Sequence, residues 1–340
     1  FILTTEEMVG DRSKVSVNFD SLPGTVHPGD RLFLNDGLIQ LRVGKIEGEE
    51  VHCQVEVGGD LGSGKGLNMP GINLGISAFT DRDQECLKFA LEQGVDAISQ
   101  SFVESAADVK AVRKAASALG HKPFIIAKIE RARALDQLDG ILRAADGIMV
   151  ARGDLGVEVP IEQIALIQKG IMEQANLLGI PIITATQMLE TMTNNRRPTR
   201  AEATDVANAV LDGTDCVMLS GESAVGRYPV EAVKMLAKIS AAIEPHRPPY
   251  RLQNMLKAYG HDSNLSLPDL VALSVESTLE RVSPAAIMVP TQSGYTARNI
   301  ARFRLPVWVT AISGEERTCQ ALQFSYGVYP IHEPEHPEDW

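Results

Sequence analysis

The chain has 340 residues, of which 44% are hydrophobic and 22% charged, a composition typical of a globular protein with room for two or three domains. Its formal net charge of −12 argues against a nucleic-acid binder, which needs a basic surface to replace phosphate counterions. The four cysteines lack paired spacing and no apolar run reaches the roughly 18–20 residues of a membrane span, so we expect a cytoplasmic protein without membrane contact.

The N-terminal part of the chain has the pattern of a small all-β module. Between residues 15 and 64, β-patterned runs at 31–34 and 51–57 alternate with turn sequences such as Pro28-Gly29-Asp30 and Asp36-Gly37. This punctuation predicts a β domain, which we place at residues 1–70.

From residue 71 the pattern changes to alternating helices and short apolar strands. A helix capped by Thr80 is predicted to end at Gly94, and Thr199 with Glu202 matches a capping box at the start of a later helix. Strands are predicted at residues 95–100, 123–129, 146–151, 180–186 and 215–220, and a last helix at 229–243. Strands that recur at the spacing of βα units predict a parallel sheet buried on both faces.

The predicted strands are too few to close an eight-stranded barrel. We expect the first barrel strands to lie in an N-terminal stretch that this sequence lacks, and an open sheet is the alternative. The barrel domain is placed at residues 71–245. After a Pro-rich break at 245–249, residues 246–340 are predicted as a smaller α/β domain with strands at 286–289 and 307–312, and the chain from His332 onward as a solvated acidic tail.

Two carboxylates and a lysine are predicted to converge at the C-terminal ends of neighbouring strands, where barrels place their function. Lys128 and Glu130 share one face of their strand because side chains alternate, and Asp154 follows the end of the next strand. Such a carboxylate pair suits Mg²⁺, and Lys128 offers a positive charge to a phosphoryl group. A structural Lys–Glu pair, with Asp154 capping a helix, has about equal weight on spacing alone.

Hydroxyls and backbone amides follow the same strand ends. The turn with Gly153 and Asp154 contains two glycines, which let backbone N–H groups approach an anion closely. Thr186 and Ser220 end the next two predicted strands, where a hydroxyl can bind phosphate or relay a proton. Packing of a β-branched residue within its strand is the alternative for Thr186.

A loop rich in hydroxyls is predicted in the third region. Thr291, Ser293 and Thr296 surround Gly294 between a strand and a helix, a pattern typical of a phosphate cradle at a helix N-terminus. An ordinary Ser/Thr turn has roughly equal weight on this spacing.

Several motifs, taken in order, resemble the pyruvate kinase family. They are Lys128-Ile129-Glu130, residues 148–156, Thr186-Gln187-Met188-Leu189-Glu190, Arg197-Pro198-Thr199-Arg200-Ala201-Glu202 and Met218-Leu219-Ser220-Gly221-Glu222. The β module with Asn35-Asp36-Gly37-Leu38-Ile39 is similar to that family's mobile lid domain. The resemblance implies an α/β fold: a TIM-type (β/α)8 barrel, of which strands 4–8 are present, with an inserted small β-barrel lid and a C-terminal α/β three-layer domain.

The resemblance also implies an activity, which is transfer of a phosphoryl group from phosphoenolpyruvate to ADP to give pyruvate and ATP, with Mg²⁺ and usually K⁺. Glu130 and Asp154 match the positions that hold Mg²⁺, and Lys128 matches the residue that stabilises the transferring phosphoryl group. The family's substrate-binding Arg and its K⁺ ligands have no counterpart in this sequence.

Further roles follow from the same resemblance. The amides of Gly153 and Asp154, with Thr186, match the substrate-binding positions, and Thr186 and Ser220 are similar to residues near the proton relay that completes pyruvate. Lys65 and Asp36 match nucleotide-contacting positions on the lid.

The loop in the third region looks like the family's effector site for a sugar phosphate or AMP, with Thr291, Ser293, Gly294 and Thr296 as its binding residues. The family is usually a homotetramer.

Two other functions stay open on the residues alone. A Mg²⁺-dependent pyruvate or enolate aldolase would use the same carboxylate pair, although the lid and Lys65 favour a kinase. A non-catalytic relative of the kinase is the second alternative.

Overall fold

The computed structural model describes residues 1–72, 75, 77–247, 266–279 and 281–335. Residues 248 and 249 of the predicted Pro-rich break, and the end of the predicted acidic tail at 336–340, lie outside the described residues. In the described part of the chain, no helix is both long and apolar enough to cross a bilayer.

The first sheet has six strands in the order β2-β1-β5-β4-β3-β6. They are β1 (Ile2–Thr4), β2 (Lys14–Ser16), β3 (Arg31–Leu34), β4 (Ile39–Glu47), β5 (Glu50–Val57) and β6 (Leu67–Asn68), with the short helix α1 (Leu22–Thr25) before β3. Neighbouring strands are antiparallel except β1 and β2. Because side chains alternate along each strand, Leu32, Leu41 and Val51 pack into one buried core. We refer to residues 1–70 as the lid, which keeps the name of the predicted module.

The second sheet has five parallel strands in chain order. They are β7 (Ala97–Gln100), β8 (Phe124–Ile129), β9 (Gly147–Ala151), β10 (Ile182–Ala185) and β11 (Cys216–Val217). The helices are α2 (Asp81–Glu92), α3 (Ala106–Ala118), α4 (Ala132–Asp136), α5 (Leu138–Ala144), α6 (Arg152–Glu158), α7 (Ile164–Leu178), α8 (Arg200–Leu211), α9 (Gly221–Ala224) and α10 (Pro229–Ile243). The predicted βα alternation is therefore confirmed.

Both faces of this sheet are buried, as its apolar strands predict. Ile125, Ala127 and Ile129 of β8 pack into a core shared with the helices. Phe124 and Ile126 belong to a second cluster on the opposite face. Because side chains alternate along a strand, Lys128 lies on the same face as Phe124 and Ile126. It is two residues after Ile126, at the C-terminal end of the strand.

The strand predicted at 215–220 is much shorter in the structure. Pairing in β11 stops at Val217. The backbone N–H of Ser220 instead donates to the carboxylate of Glu222 at 2.6 Å, and Ser220 is the N-cap of α9. The ladder therefore gives way to a turn before the predicted end.

The third sheet has three parallel strands, β12 (Ala286–Pro290), β13 (Trp308–Ser313) and β14 (Val328–His332). Its helices are α11 (Leu267–Leu279), α12 (Tyr295–Ala301) and α13 (Glu316–Leu322). The prediction of a tail from His332 onward was wrong at that residue, which ends β14. Pro330 hides this strand in the sequence, but proline is tolerated at a sheet edge because no ladder hydrogen bond is needed there.

A buried ion pair joins the third region to the second sheet. Arg304 donates to both carboxylate oxygens of Asp215, at 2.5 and 2.9 Å, and to the side-chain oxygen of Asn176 at 2.5 Å. The side chains of Arg304 and Asp215 are only 2% and 7% exposed. Beside them, the rings of Phe124 and Phe324 stack with centroids 4.9 Å apart. These contacts lie at the N-terminal ends of the strands, away from Lys128.

Asp215→Asn should lower the free energy of unfolding by about 3–5 kcal/mol, because it leaves the guanidinium of Arg304 buried without its counter-charge. Urea unfolding of the full-length protein measures this. Asp139→Asn is the control, since Asp139 pairs with Arg143 at an exposed position and such pairs contribute about 0.5 kcal/mol or less. Equal losses in the two variants would contradict the expectation.

Candidate active site

Lys128, which is partly exposed, and Glu130, which is buried, form an ion pair at the C-terminal end of β8. Lys128 Nζ lies 2.5 Å from Glu130 Oε1 and donates a hydrogen bond to Ser101 Oγ at 2.9 Å. The second carboxylate oxygen of Glu130 accepts the backbone N–H of Phe102 at 2.7 Å. Glu130 is 1% exposed. Ser101 and Phe102, which follow β7, are therefore hydrogen-bond partners of Lys128 and Glu130, respectively.

Ser101 and Phe102 are site residues that the sequence analysis missed. Phe102 has a φ of 55°, which is rare for a bulky side chain, and the residue is 48% exposed. Its N–H is held by the carboxylate of Glu130, so the left-handed turn serves that hydrogen bond. In sequence, Ser101-Phe102 resembles an ordinary continuation of an apolar strand and gives no signal of the turn.

Asp154 lies beside Glu130, from the strand next to β8. It is in the first turn of α6, immediately after β9. Burial raises the pKa of Asp154, the charge of Glu130 raises it further, and Lys128 and a hydrogen bond with Asn68 of the lid act in the opposite direction. The structure thus brings the three predicted residues Lys128, Glu130 and Asp154 together.

The carboxylate pair fits a divalent metal. Glu130 Oε1 is buried, and the ammonium of Lys128 lies 2.5 Å from it. Mg²⁺ usually takes one or two protein carboxylates and completes its shell with water and substrate. Within the described ranges, no group of three or more His, Cys, Asp or Glu residues could hold a metal. Glu130 and Asp154 are the two carboxylates that this part of the site could offer to a metal.

Thr186 leaves the strand that was predicted to contain it. β10 ends at Ala185, and Thr186 and Gln187 have φ values of 68° and 54°. The hydroxyl of Thr186 accepts the backbone N–H of Gly153 at 2.8 Å and donates to the carbonyl of Ala185 at 2.6 Å. The predicted substrate-binding residues Gly153 and Thr186 therefore meet between adjacent strands.

Ser220 is connected to the Thr186 loop through a buried glutamate. Glu222, which is fully buried, accepts the N–H of Leu189 at 3.0 Å and that of Ser220 at 2.6 Å. Leu189 belongs to the loop that follows Thr186. Ser220 therefore lies at the next strand end along the sheet, held to the same loop by a carboxylate that the sequence analysis did not single out.

A second glutamate, Glu202 on α8, forms hydrogen bonds with the loop that follows Thr186. Its carboxylate accepts the N–H and hydroxyl of Thr191, at 2.7 and 2.6 Å, and completes the predicted capping box with Thr199. Burial acts to raise the pKa of Glu202, but these hydrogen bonds outweigh it and the pKa lies below its ordinary value of 4.5.

The pH dependence of stability should reflect this carboxylate. A lowered pKa in the folded state means that the Glu202 contribution is fully present above about pH 4.5 and is lost as the pH falls through the folded pKa. The difference in unfolding free energy between the parent protein and Glu202→Gln should therefore be constant near neutrality and shrink below pH 4.5. Urea unfolding at several pH values, with Glu92→Gln as an exposed control, measures it; a difference that grows on acidification would contradict the assignment.

The lid places two predicted nucleotide-contacting residues near this site. Asp36 lies in a left-handed turn between β3 and β4, with a φ of 55°, and its charge acts on Asp154. The turn approaches α6, since a Cβ on Gly37 would lie 3.3 Å from Val157. Lys65 is exposed on the loop between β5 and β6 and lines the same cleft as Phe102. Asp36 therefore lies near Asp154, whereas Lys65 lines the cleft.

The predicted effector loop lies in the third region, far along the chain from these groups. Thr291, Ser293 and Gly294 connect β12 to α12, and Thr296 is in the first turn of that helix. Gly294 is the N-cap with a φ of 76°, and its N–H donates to the hydroxyl of Thr291 at 2.9 Å. The Thr291 hydroxyl thus has the local bond of an ordinary Ser/Thr turn, the alternative that the spacing left open.

Comparison with known proteins gives consistent matches over almost the whole chain. A family model described as "Pyruvate kinase, barrel domain" matches residues 1–233, and one described as "Pyruvate kinase, alpha/beta domain" matches residues 269–339. The pyruvate kinase of Thermococcus litoralis is 48% identical over 333 residues, which are 97% of this chain and 70% of the relative.

Two further relatives are more distant. Pyruvate kinase 2 of Synechocystis sp. is 41% identical over 333 residues, covering 97% of this chain and 55% of the relative. The human protein named pyruvate kinase PKLR is 41% identical over 332 residues, covering 97% of this chain and 57% of the relative. The chain therefore spans little more than half the length of these two relatives.

Proposed function

The chain belongs to the pyruvate kinase family, and from that membership we propose that the protein transfers a phosphoryl group from phosphoenolpyruvate to ADP, giving pyruvate and ATP. The observation that carries the proposal is the convergence of Lys128, Glu130 and Asp154 at the C-terminal ends of neighbouring parallel strands. A cation, a pair of metal-binding carboxylates and a nearby amide are what phosphoryl transfer needs, since its catalysis is mostly positioning and charge stabilisation.

The fold proposed for the whole protein is a TIM-type (β/α)8 barrel whose strands 4–8 are β7–β11. The lid at residues 1–70 is proposed as the inserted β-barrel domain, residues 71–245 as the barrel and residues 246–340 as the C-terminal three-layer domain. The parallel order of β7–β11 and the separate lid sheet support this assignment.

We assign Mg²⁺ to Glu130 and Asp154. Bound there, the ion would supply positive charge to the substrate's carboxylate and enolate oxygens and to its phosphoryl group. The burial of the Glu130 carboxylate and its charge effect on Asp154 support the assignment. K⁺ is expected as a second cation, with ligands outside the residues assigned here.

Lys128 is assigned to the transferring phosphoryl group. In the transfer, an oxygen of the ADP β-phosphate bonds to phosphorus while the bond from phosphorus to the C2 oxygen of phosphoenolpyruvate breaks. Negative charge spreads over the phosphoryl oxygens, and the ammonium at Lys128 Nζ stabilises it. Its hydrogen bond to Ser101 Oγ keeps the ammonium at the strand end.

Gly153 and Thr186 are assigned to substrate binding and to the step that follows transfer. The amides of Gly153 and Asp154 lie in the first turn of α6, where N–H groups have no helical partner. The Gly153 N–H donates to the Thr186 hydroxyl at 2.8 Å, so a substrate carboxylate bound here would share or replace that bond and meet the Asp154 N–H. The enolate then takes a proton from the solvent side at C3 and becomes pyruvate. Thr186 and Ser220, at adjacent strand ends, are proposed to relay that proton.

The remaining assignments concern binding away from the carboxylates. Lys65 and Asp36 are proposed to contact ADP from the lid. The Thr291, Ser293, Gly294 and Thr296 loop is proposed as an effector site for a sugar phosphate or AMP. A homotetramer in the cytoplasm is the proposed state of the protein.

The test is an assay of the full-length protein with phosphoenolpyruvate, Mg²⁺ and K⁺, with and without ADP. The proposal expects pyruvate and ATP in equal amounts, and neither product without ADP. Pyruvate condensation with an aldehyde in the absence of ADP would instead support the aldolase alternative, and inactivity in both assays would support a non-catalytic relative.

A further inference from the structure

Thr186 adopts a backbone conformation that its residue type disfavours. Its φ of 68° and that of the next residue, Gln187, at 54°, are left-handed. This conformation is unfavourable for an L-residue, and a β-branched side chain there is a genuine outlier. Strain of this kind persists only where the surrounding structure fixes the backbone. Some group must therefore hold Thr186.

Arg152 holds the carbonyl groups of this turn. Its Nη2 donates to the Thr186 carbonyl at 2.6 Å, and its Nε lies 3.3 Å from the Ala185 carbonyl, to which it also donates. Two donors of one planar guanidinium thus fix two successive carbonyls and the backbone between them. A lysine ammonium, which is a single point charge on a flexible stem, cannot reproduce that fork.

Side chains of α7 and α8 hold the guanidinium of Arg152 in turn. Arg152 Nη1 donates to the carboxylate of Asp205 on α8 at 2.7 Å and to the side chain of Gln168 on α7 at 3.4 Å. The Arg152 side chain is only 11% exposed. Its orientation is therefore set by two helices.

Arg152 also connects the two strand ends that carry the proposed substrate-binding groups. It is the first residue of α6, directly before Gly153, whose N–H donates to the Thr186 hydroxyl. Ala151 and Ala185, the last residues of β9 and β10, are register partners. The Arg152 side chain thus links the end of β9, next to Gly153, to the end of β10, next to Thr186.

We propose that Arg152 is a positioning residue, which holds Thr186 in the left-handed turn from which its hydroxyl reaches the substrate. The inference deepens the proposed function and rests on it for the role of the hydroxyl. Arg152 does not itself touch the reacting atoms; it acts through Thr186.

A double-mutant cycle in the full-length protein tests this, with Arg152→Lys and Thr186→Val as the two changes. Thr186→Val removes the hydroxyl and keeps the β-branch. Arg152→Lys alone should lower kcat about 10²-fold, because a misplacement of about 1 Å costs that much, and should leave the Kd for Mn²⁺ within about twofold. In the Thr186→Val background, the same change should lower kcat by less than about threefold, since the group that Arg152 positions is gone.

Equal factors in the two backgrounds would overturn the proposal, because a merely structural arginine lowers kcat whether or not the hydroxyl is present. A parent-like kcat in Arg152→Lys would overturn it as well. If Arg152→Lys does not fold, Asp205→Asn replaces it in the cycle, with a severalfold loss expected only when Thr186 is present. Arg143→Lys, at an exposed intrahelical pair, is the control and should leave kcat unchanged.

A crystal structure of Arg152→Lys separates this proposal from the proposed function. Release of Thr186 from its left-handed φ supports the positioning role even if the parent protein forms no ATP. An unchanged φ, with the Thr186 hydroxyl still on the Gly153 N–H, overturns the positioning role even if the parent protein is a fully active kinase.

Discussion

Lys128→Met in the full-length protein should lower kcat for ATP formation by about 10³-fold or more. Cations that stabilise a transferring phosphoryl group contribute about 10³–10⁵ to turnover in comparable enzymes. Methionine fills a similar volume without the charge. Steady-state turnover at saturating phosphoenolpyruvate and ADP measures the loss. Unchanged turnover would remove Lys128 from the reaction.

The same variant should bind a divalent metal at least as tightly as the parent protein. Lys128 Nζ lies 2.5 Å from Glu130 Oε1, so the ammonium opposes a second positive charge at that carboxylate. Mn²⁺ binding, followed by its electron paramagnetic resonance signal, measures the affinity. Lys122→Met, at an exposed position before β8, is the matched control and should change neither turnover nor metal affinity.

Asp154→Asn should weaken Mn²⁺ binding by about 10²-fold or more and reduce turnover with it. Removing even a residue that only supports a metal ligand costs about 10–100-fold in affinity, and a direct carboxylate ligand should cost at least as much. A higher metal concentration should restore part of the turnover. An unchanged affinity for Mn²⁺ would remove Asp154 from the metal site.

The metal-free protein should respond to Asp154→Asn in the opposite direction. Burial and the neighbouring Glu130 raise the pKa of Asp154, which means that the folded state disfavours its charge near pH 7. Removing that charge should therefore raise the Tm of the metal-free protein or leave it unchanged. Active-site residues are often unfavourable for stability in this way, because they are kept for function. A lower Tm would indicate that Asp154 has a structural role. Asp139→Asn, on the surface of α5, serves as the control.

Local patterns predicted most of the elements that support the site. The alternation of side chains placed Lys128 and Glu130 on one face, and the structure has them in contact. The N-cap at Thr80 and the capping box at Thr199 begin α2 and α8 as predicted, because their hydrogen bonds lie within four residues of sequence. Helix α10 was predicted with its observed limits.

The features that the sequence did not reveal depend on contacts between distant residues. The left-handed conformation of Thr186 depends on Arg152, which is 34 positions earlier. The turn at Phe102 depends on the carboxylate of Glu130, which follows it by 28 positions. Residue type alone favours a strand in both places, since Thr and Phe are common in strands. Tertiary hydrogen bonds override that preference where the site is built.

The turn at Asp36 has a consequence for the ionisation of the neighbouring carboxyl groups. Besides burial, the charge of Asp36 raises the pKa of both Asp154 and Glu190, so it disfavours the charged form of each. A cation among these groups would act in the opposite direction, as Lys128 already does on Asp154. Added salt should weaken the effect of Asp36, because charges are screened beyond about 10 Å at 0.1 M ionic strength. The ionisation of Asp154 therefore depends on a residue of the first sheet as well as on its own strand end.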